Sequence, residues 1–334
     1  VTKAGSDLPA TVAPPPTLSP SGERVVAVTG ADRLAFLDDT TTQALREAAP
    51  GTATAALVLD ANGLPLLQLE VLVRAEDVLL VVPDALAVDA VMSLLAGRTF
   101  LADARFAPRD DTVLLVHGDG AGAAVAAAGL DVADGALAVH GEVVVVDARH
   151  GARRLLCPTA AVAAVAAALR AAGAADGDAG ALDAWRVAAG VPVWGREVTA
   201  PHLPEELGLL PTHVHLAKGC YPGQEAVARM WMLGRPRRRL ARVRVDGDLG
   251  PGWTTGTGRD EVRLTAVAPG AGTGLAFVPG DAAPGARFAG EDGAIEVLDL
   301  PGDGTPPGHD PAVRRRRDRP RGGDPAGGRP GSGT

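Results

Sequence analysis

The chain has 334 residues, 46% of them hydrophobic, and carries a formal net charge of -8 with a pI near 5.4. That length is too great for one small domain and suits two or three, and the acidic balance excludes general adhesion to nucleic acid or to an anionic membrane, since both need a cationic surface. Two cysteines, Cys157 and Cys220, stand far apart and in no metal-ligand spacing, which excludes a disulfide framework or a cysteine-based zinc site and fits a reducing cytoplasm.

Residues 1–20 hold one lysine, no apolar core and the break Pro14-Pro15-Pro16, so they are expected to be disordered and not a signal peptide. No apolar run reaches the roughly 18 to 20 residues of a membrane span. A first α+β unit, 21–108, begins with a strand over Arg24–Thr29 and a short helix from Ala31 to Leu37. Thr52–Asp60 and Leu66–Val73 read as a hairpin turning at Asn62-Gly63, whose residue types supply the positive φ of a tight turn. A strand over Val78–Val82, a helix over Ala85–Ala96 and a strand over Phe100–Phe106 complete it.

A second α+β unit, 109–235, is predicted from a strand over Thr112–Val116, a helix over Gly120–Ala128, a hairpin over Leu137–Val146, a strand over Arg154–Cys157 and a helix over Ala160–Ala172. Gly173–Gly180 reads as a flexible break before a helix over Leu182–Ala189. The irregular stretch that follows is of a length usually reserved for functional loops. From Arg238 short alternating segments predict a β-barrel over 236–300. Residues 301–334 are rich in Pro, Gly and Arg without apolar periodicity and are expected to be disordered; Arg314-Arg-Arg-Arg-Asp-Arg-Pro-Arg321 reads as a solvated tail. The fold class expected is therefore α+β, in three domains.

One segment is hard to explain by packing: Lys218-Gly-Cys-Tyr-Pro-Gly-Gln-Glu225. Gly219 and Gly223 permit tight backbone geometry, Pro222-Gly223 suits a type II turn, and Lys218 puts a cation two residues from the sulfur. A nearby ammonium favours the thiolate, the nucleophilic and metal-binding form. The competing reading, a small buried hydrophobe, sits badly with polar, turn-forming neighbours.

Other motifs weigh less. Gly118-Asp-Gly-Ala-Gly-Ala123 follows a strand and precedes a helix, with Asp147 ending a later strand, and so imitates a dinucleotide fingerprint; the hairpin at Leu137–Val146 argues against the parallel crossover such a site needs. His213-Val-His215 would place two imidazoles on one strand face, but without a third ligand these read as surface or packed histidines. Trp185 and Trp194 either stack on a ligand ring or fill a core.

The run at Cys220 resembles the signature Lys-Gly-Cys-Tyr-x-Gly-Gln-Glu of the YgfZ-type branch of the aminomethyltransferase-like (glycine cleavage T-protein) superfamily. Trp185-Arg-Val-Ala-Ala-Gly-Val-Pro192, Trp194-Gly-Arg-Glu197, Pro204-Glu-Glu-Leu-Gly-Leu209, Ala228-Arg229, Thr41-Thr-Gln43 and Leu264-Thr-Ala-Val-Ala268 are similar to that family in order and spacing, from about Ser19 to about Leu300. The resemblance implies a three-domain cloverleaf around a central opening, with two small α+β domains and a C-terminal β-barrel. It implies tetrahydrofolate as ligand and a monomeric helper in the assembly or repair of iron-sulfur proteins, tRNA-modifying enzymes among them, with those clients or the assembly proteins as partners. Cys220 and Lys218 would then be the working thiol and its cation. Glu206 and Arg229 would be polar partners of the folate, and Arg186, Tyr221, Gln224 and Glu225 would shape the site, although Glu225 and Arg229, four apart, equally suit a pair on a helix face.

The sequence departs from the T-protein pattern in the first domain. Those enzymes carry an acid after the Asn/Gly turn, whereas Asn62-Gly-Leu-Pro-Leu-Leu-Gln-Leu69 has none and Gln68 is the nearest substitute. An amide is no general base near neutral pH, and Ala188 stands where relatives often have an acid. An accessory factor is thus expected ahead of two alternatives, a folate-dependent aminomethyltransferase or demethylase, and an interaction module with a decayed cleft.

Overall fold

A computed structural model describes residues 15–309 apart from 84–85, 200, 234–235 and 269. Strand β1 (Thr17–Pro20) comes first. It is followed by β2 (Arg24–Thr29), helix α1 (Arg33–Thr40), β3 (Ala53–Leu59), β4 (Pro65–Val73), β5 (Val78–Val82), α2 (Val88–Ala96) and β6 (Arg105–Arg109). Strands β2 to β6 form a five-stranded antiparallel sheet in the order β3-β4-β5-β2-β6. All five residues of β5 are buried because each face of the sheet has its own cover. Val78, Leu80 and Val82 join Phe36, Leu37, Val91 and Leu95 under the helices. Leu79 and Val81 meet Val113, Val144 and Leu156 of the next sheet.

The second unit holds β7 (Asp111–His117), α3 (Ala121–Ala127), β8 (Leu137–His140), β9 (Val143–Asp147), β10 (Arg153–Pro158), α4 (Val162–Ala171) and β11 (Ala175–Asp176). Its sheet runs β11-β1-β7-β10-β9-β8, with β1 antiparallel to β7 and parallel to β11. Two expectations are corrected here. Thr17–Pro20, placed in a disordered 1–20 segment, is a strand because its Leu18 and Ser19 are buried against β7; residues 1–14 lie outside the described chain. The break at Gly173–Gly180 contains β11. A third correction concerns Phe100–Phe106: the strand starts at Arg105, and Phe100, at φ 42, and Leu101 sit on an exposed turn.

Helices α5 (Ala179–Ala189), α6 (Leu210–His213) and α7 (Gln224–Leu233) tie the units together. Asp178 caps α5 by accepting the Ala181 N–H at 2.8 Å. Val187, Leu207, Leu210, Val214, Val227 and Trp231 pack with Leu57 and Leu59 of β3 and with Leu240, Ala266 and Phe277 of the last unit, one core at the junction of all three. That last unit contains β12 (Arg238–Gly247), β13 (Thr254–Thr255), β14 (Val262–Ala268), β15 (Thr273–Pro279), β16 (Arg287–Gly290) and β17 (Gly293–Asp299), ordered β13-β14-β15-β12-β17-β16. The Thr255 hydroxyl donates to the Ala289 carbonyl at 2.8 Å and nearly closes it into a barrel. The three-unit α+β class is therefore the one the sequence led us to expect. The chain beyond the barrel is corrected in part: Leu216 donates its N–H to the Pro307 carbonyl at 2.8 Å and Trp231 meets the His309 ring edge-on at 5.2 Å, so 301–309 is packed. The arginine run from Arg314 lies outside the described residues.

Candidate functional site

The cysteine motif is a turn clamped between the first unit and α7. Gly223, at φ 81, takes the left-handed position that a type II turn gives its third residue, and the Gln224 N–H closes the turn onto the Tyr221 carbonyl at 3.3 Å. A Cβ on Gly223 would lie 2.4 Å from the Asp60 carbonyl oxygen and 2.9 Å from the Gly63 Cα. The turn thus rests directly on the β3–β4 hairpin. That hairpin turns differently from the expectation, since Gly63 but not Asn62 has positive φ. Asp60 organises it, accepting from the Asn62 and Leu64 N–H groups at 2.9 and 2.8 Å; these bonds, led by Leu64, hold its carboxyl below the usual range.

Cys220 is exposed and free, whereas Cys157 is buried in β10, where desolvation pushes its thiol up to about 11. Lys218 is differently employed from the expectation. Its side chain is 1% exposed, and its ammonium donates to the Asp38 and Thr41 carbonyls, the latter at 2.8 Å, at the end of α1. It also lies 3.9 Å from the Asp38 carboxylate and 5.1 Å from the Tyr221 ring centre. Burial lowers its pKa, against the pull of Asp38 and Asp39. The cation is a helix C-cap first, and the thiol is one of the weaker charges acting on it.

The remaining expected site residues do not converge. Arg186 is buried, paired with Asp183 at 2.5 Å and Glu197 at 3.1 Å, and Glu197 also accepts from the Thr265 hydroxyl at 3.0 Å; this joins α5 to β14. Glu206 accepts from the Leu203 N–H at 3.0 Å. Burial opposes its ionisation, yet His202 and the neighbouring N–H groups together hold the carboxyl below its usual value. The Tyr221 phenol is pushed up to about 12 by burial, and Gln224 accepts from the Tyr221 N–H at 3.3 Å. Glu225 and Arg229 are both exposed, and no ion pair joins them among the described residues. None of the eight lines the cleft described below.

Gln68, read in the sequence as the nearest substitute for an acid, has a specific partner. Its Nε2 stands 3.3 Å from His213 Nε2, while His213 Nδ1 is 2.7 Å from the Thr212 hydroxyl, which itself donates to the Leu209 carbonyl at 3.3 Å. That network assigns the Nδ1–H tautomer, with Nε2 accepting from the amide. Burial, reinforced by the Arg149 charge, pushes His213 down to about 3, so the imidazole is neutral. His213 ends α6 rather than lying on a strand, and no metal-holding group of His, Cys, Asp or Glu exists among the described residues.

A cleft of about 810 Å³ opens between the second unit and α5, within the roughly 300–1,000 Å³ typical of ligand pockets. Its walls are the Gly118–Gly122 loop, the Arg149–Gly151 turn, Asp134, Asp147 and Arg153, and on α5 Trp185, Ala188 and Ala189. The glycine loop and Asp147 are therefore pocket walls, but not a dinucleotide site: β7 and β10, β10 and β9, and β9 and β8 all pair antiparallel. Asp147 is occupied, accepting from Gly135 N–H and from Arg153, both at 2.7 Å. Trp185, 5.3 Å from His117, presents an aromatic surface to the cleft, while Trp194 packs against the junction core. Arg149 lines the cleft and was missed in the sequence.

No family model matches this chain, and no curated protein matches it. Among solved structures the chain is similar to the glycine cleavage system aminomethyltransferase T from Bartonella henselae, with a TM-score of 0.73, 18% identity and 87% of each chain covered. The fold is that of this aminomethyltransferase; at such identity the likeness extends no further. The heterotetrameric sarcosine oxidase from Corynebacterium sp. U-96, in complex with pyrrole 2-carboxylate, gives a TM-score of 0.33 at 14% identity over 46% of this chain and 80% of that one. No helix among the described residues is long and apolar enough to cross a membrane.

Proposed function

We propose that this protein binds a reduced folate, tetrahydrofolate, in the cleft beside α5 and serves iron-sulfur proteins, tRNA-modifying enzymes among them, as a cytoplasmic accessory factor whose working group is the Cys220 thiol. The cleft suits such a ligand. Trp185 supplies a flat aromatic surface for a pterin ring, and Asp119 on the glycine loop is an exposed carboxylate able to accept from an amino-pyrimidine edge. The observation that carries the accessory reading over aminomethyl transfer is the Gln68 to His213 contact. Where transfer needs a base, this chain has an amide bonded to a neutral imidazole, and neither takes up a proton readily at pH 7. The exposed Cys220, fixed on a rigid turn, is the available reactive group.

Titration of the purified protein with tetrahydrofolate, followed by quenching of tryptophan fluorescence, tests the ligand. Full activity of a cluster-dependent enzyme in cells lacking the gene but supplied with the Cys220→Ala variant would remove the thiol from the proposal. Multiple turnover of a methylated or aminomethylated amine to methylene-tetrahydrofolate would establish the transferase reading instead. Absence of folate binding would leave an interaction module.

A further inference from the structure

The β9–β10 connection holds two consecutive non-glycine residues in the left-handed region, Arg149 at φ 62 and His150 at φ 48. Side chains there meet their own backbone, so such pairs persist only when the surroundings enforce them. Here the ladder does so: Ala148 N–H donates to the Ala152 carbonyl at 3.1 Å, Ala152 N–H returns to the Arg149 carbonyl at 2.9 Å, and Asp147 is in register with Arg153 below the turn. A glycine at either position would relieve the strain. The two residues present instead set an arginine and an imidazole on the wall of the cleft.

The neighbouring arginines each have carboxylate partners. Arg153 is paired with Asp147 at 2.7 Å and Asp134 at 3.2 Å. Arg154 is held by Glu23 at 2.9 Å and by Glu70, and Arg186 by Asp183 and Glu197. The Arg149 guanidinium has no hydrogen bond or ion pair among the described residues. Glu70 and Asp147 favour its charge from a distance, while desolvation and Arg154 oppose it. An arginine on a cleft wall with no carboxylate bonded to it can take one from a ligand, and its planar fork matches a carboxylate in two parallel hydrogen bonds.

We infer that Arg149 is the receptor for a carboxylate of the bound ligand, which for a reduced folate is the glutamate tail. The inference rests on the folate reading above and adds an orientation: the tail toward the β9–β10 turn, the donor-rich pterin edge toward Asp119 on the glycine loop. Arg149 then sets the preference for tail-bearing folates over bare pterins.

Calorimetry with two ligands separates this from the folate reading. Tetrahydrofolate carries the tail; 6-methyltetrahydropterin has the same kind of reduced ring without it. Arg149→Gly suits the left-handed backbone, so it should fold with undiminished thermal stability. It is expected to weaken tetrahydrofolate roughly tenfold or more, the loss of one charge-assisted carboxylate contact, and to leave 6-methyltetrahydropterin within about twofold. Arg149→Lys should recover part of the loss, as a point charge without the fork. Unchanged tetrahydrofolate affinity in Arg149→Gly, or equal weakening of both ligands, overturns the role of Arg149 and leaves folate binding standing. Wild-type protein that binds neither ligand overturns the folate reading and this inference with it.

Discussion

Gly223 of the cysteine motif and Gly63 of the β3–β4 hairpin touch backbone to backbone, with the place of a Gly223 Cβ 2.9 Å from the Gly63 Cα and 2.4 Å from the Asp60 carbonyl oxygen. The thiol of Cys220 is thereby referenced to the first unit, although it belongs to a segment more than 150 residues later in the chain.

Gly223→Ala should therefore be severely destabilising. The left-handed φ alone costs about 1–2 kcal/mol for an L-residue, and a methyl driven into backbone adds about 1–3 kcal/mol of overpacking. Gly63→Ala, whose Cβ would meet the Ala226 Cβ of α7 at 2.8 Å and the Gly223 carbonyl oxygen at 3.4 Å, strikes the same seam from the other side. Denaturant unfolding of the two single variants and the double should show clear non-additivity, because once the turns are forced apart the second methyl finds room. Additive losses would mean the two turns are not coupled.

Much of this architecture was legible in the sequence, and what was missed has physical reasons. Strands β2 and β5 lie where expected because both are apolar runs of strand length between turn residues. β1 and β11 were invisible because they are short, follow proline or glycine breaks, and gain their stability from each other and from β7. Cys220 was found by its chemistry, yet Lys218 was assigned to the thiol on sequence proximity when space offers it two carbonyls at the end of α1. The glycine loop and Asp147 were seen and set aside as a dinucleotide site because Leu137–Val146 reads as a hairpin, and the antiparallel pairing of β7, β10, β9 and β8 agrees. Arg149 gave no signal, since nothing in a residue type announces an arginine held at φ 62.

Lys218→Met tests which role the ammonium plays. Removing it leaves the Asp38 and Thr41 carbonyls uncapped and the 8% exposed Asp38 side chain with Arg46 as its remaining cation, a loss of about 2–4 kcal/mol for charged hydrogen bonds at a buried site. Under conditions where the variant stays folded, the alkylation rate of Cys220 should follow nearly the same pH curve as in the wild type. A curve displaced upward by a full unit would restore Lys218 as the activator of the thiol.

Stability should fall in mild acid, and His213 is a principal reason. Its folded-state pKa is about 3, against about 6.5 in an unfolded chain, so the unfolded state takes up a proton that the folded state refuses. The contribution is complete above pH 6.5 and is lost as pH falls from there toward 3, with a slope of up to ~1.4 kcal/mol per pH unit. Burial lowers the His117 pKa as well, which adds in the same direction. Urea midpoints measured across this window should drop, and a His213→Gln variant, neutral throughout, should show a visibly shallower decline. An identical slope in the variant would assign the acid sensitivity to other groups.

Arg154 joins the first two sheets by charge as their apolar faces join by packing. From β10 it pairs with Glu23, at 2.9 Å, and with Glu70 of β4, all three side chains largely enclosed. Burial disfavours the guanidinium, and the two carboxylates more than offset it, raising its pKa. Arg154→Leu would strand two carboxylates in an enclosed site, at a cost of about 3–5 kcal/mol, the usual figure for removing one member of a buried ion cluster. The triple variant Glu23→Gln, Glu70→Gln, Arg154→Leu leaves no orphan charge and should recover much of that loss, because the apolar contacts of Leu79 and Val81 with Val113, Val144 and Leu156 persist. Chemical denaturation of the single and triple variants checks this. If the triple variant is no more stable than the single, the cluster holds the sheets together through its geometry and not merely by compensating its own charges.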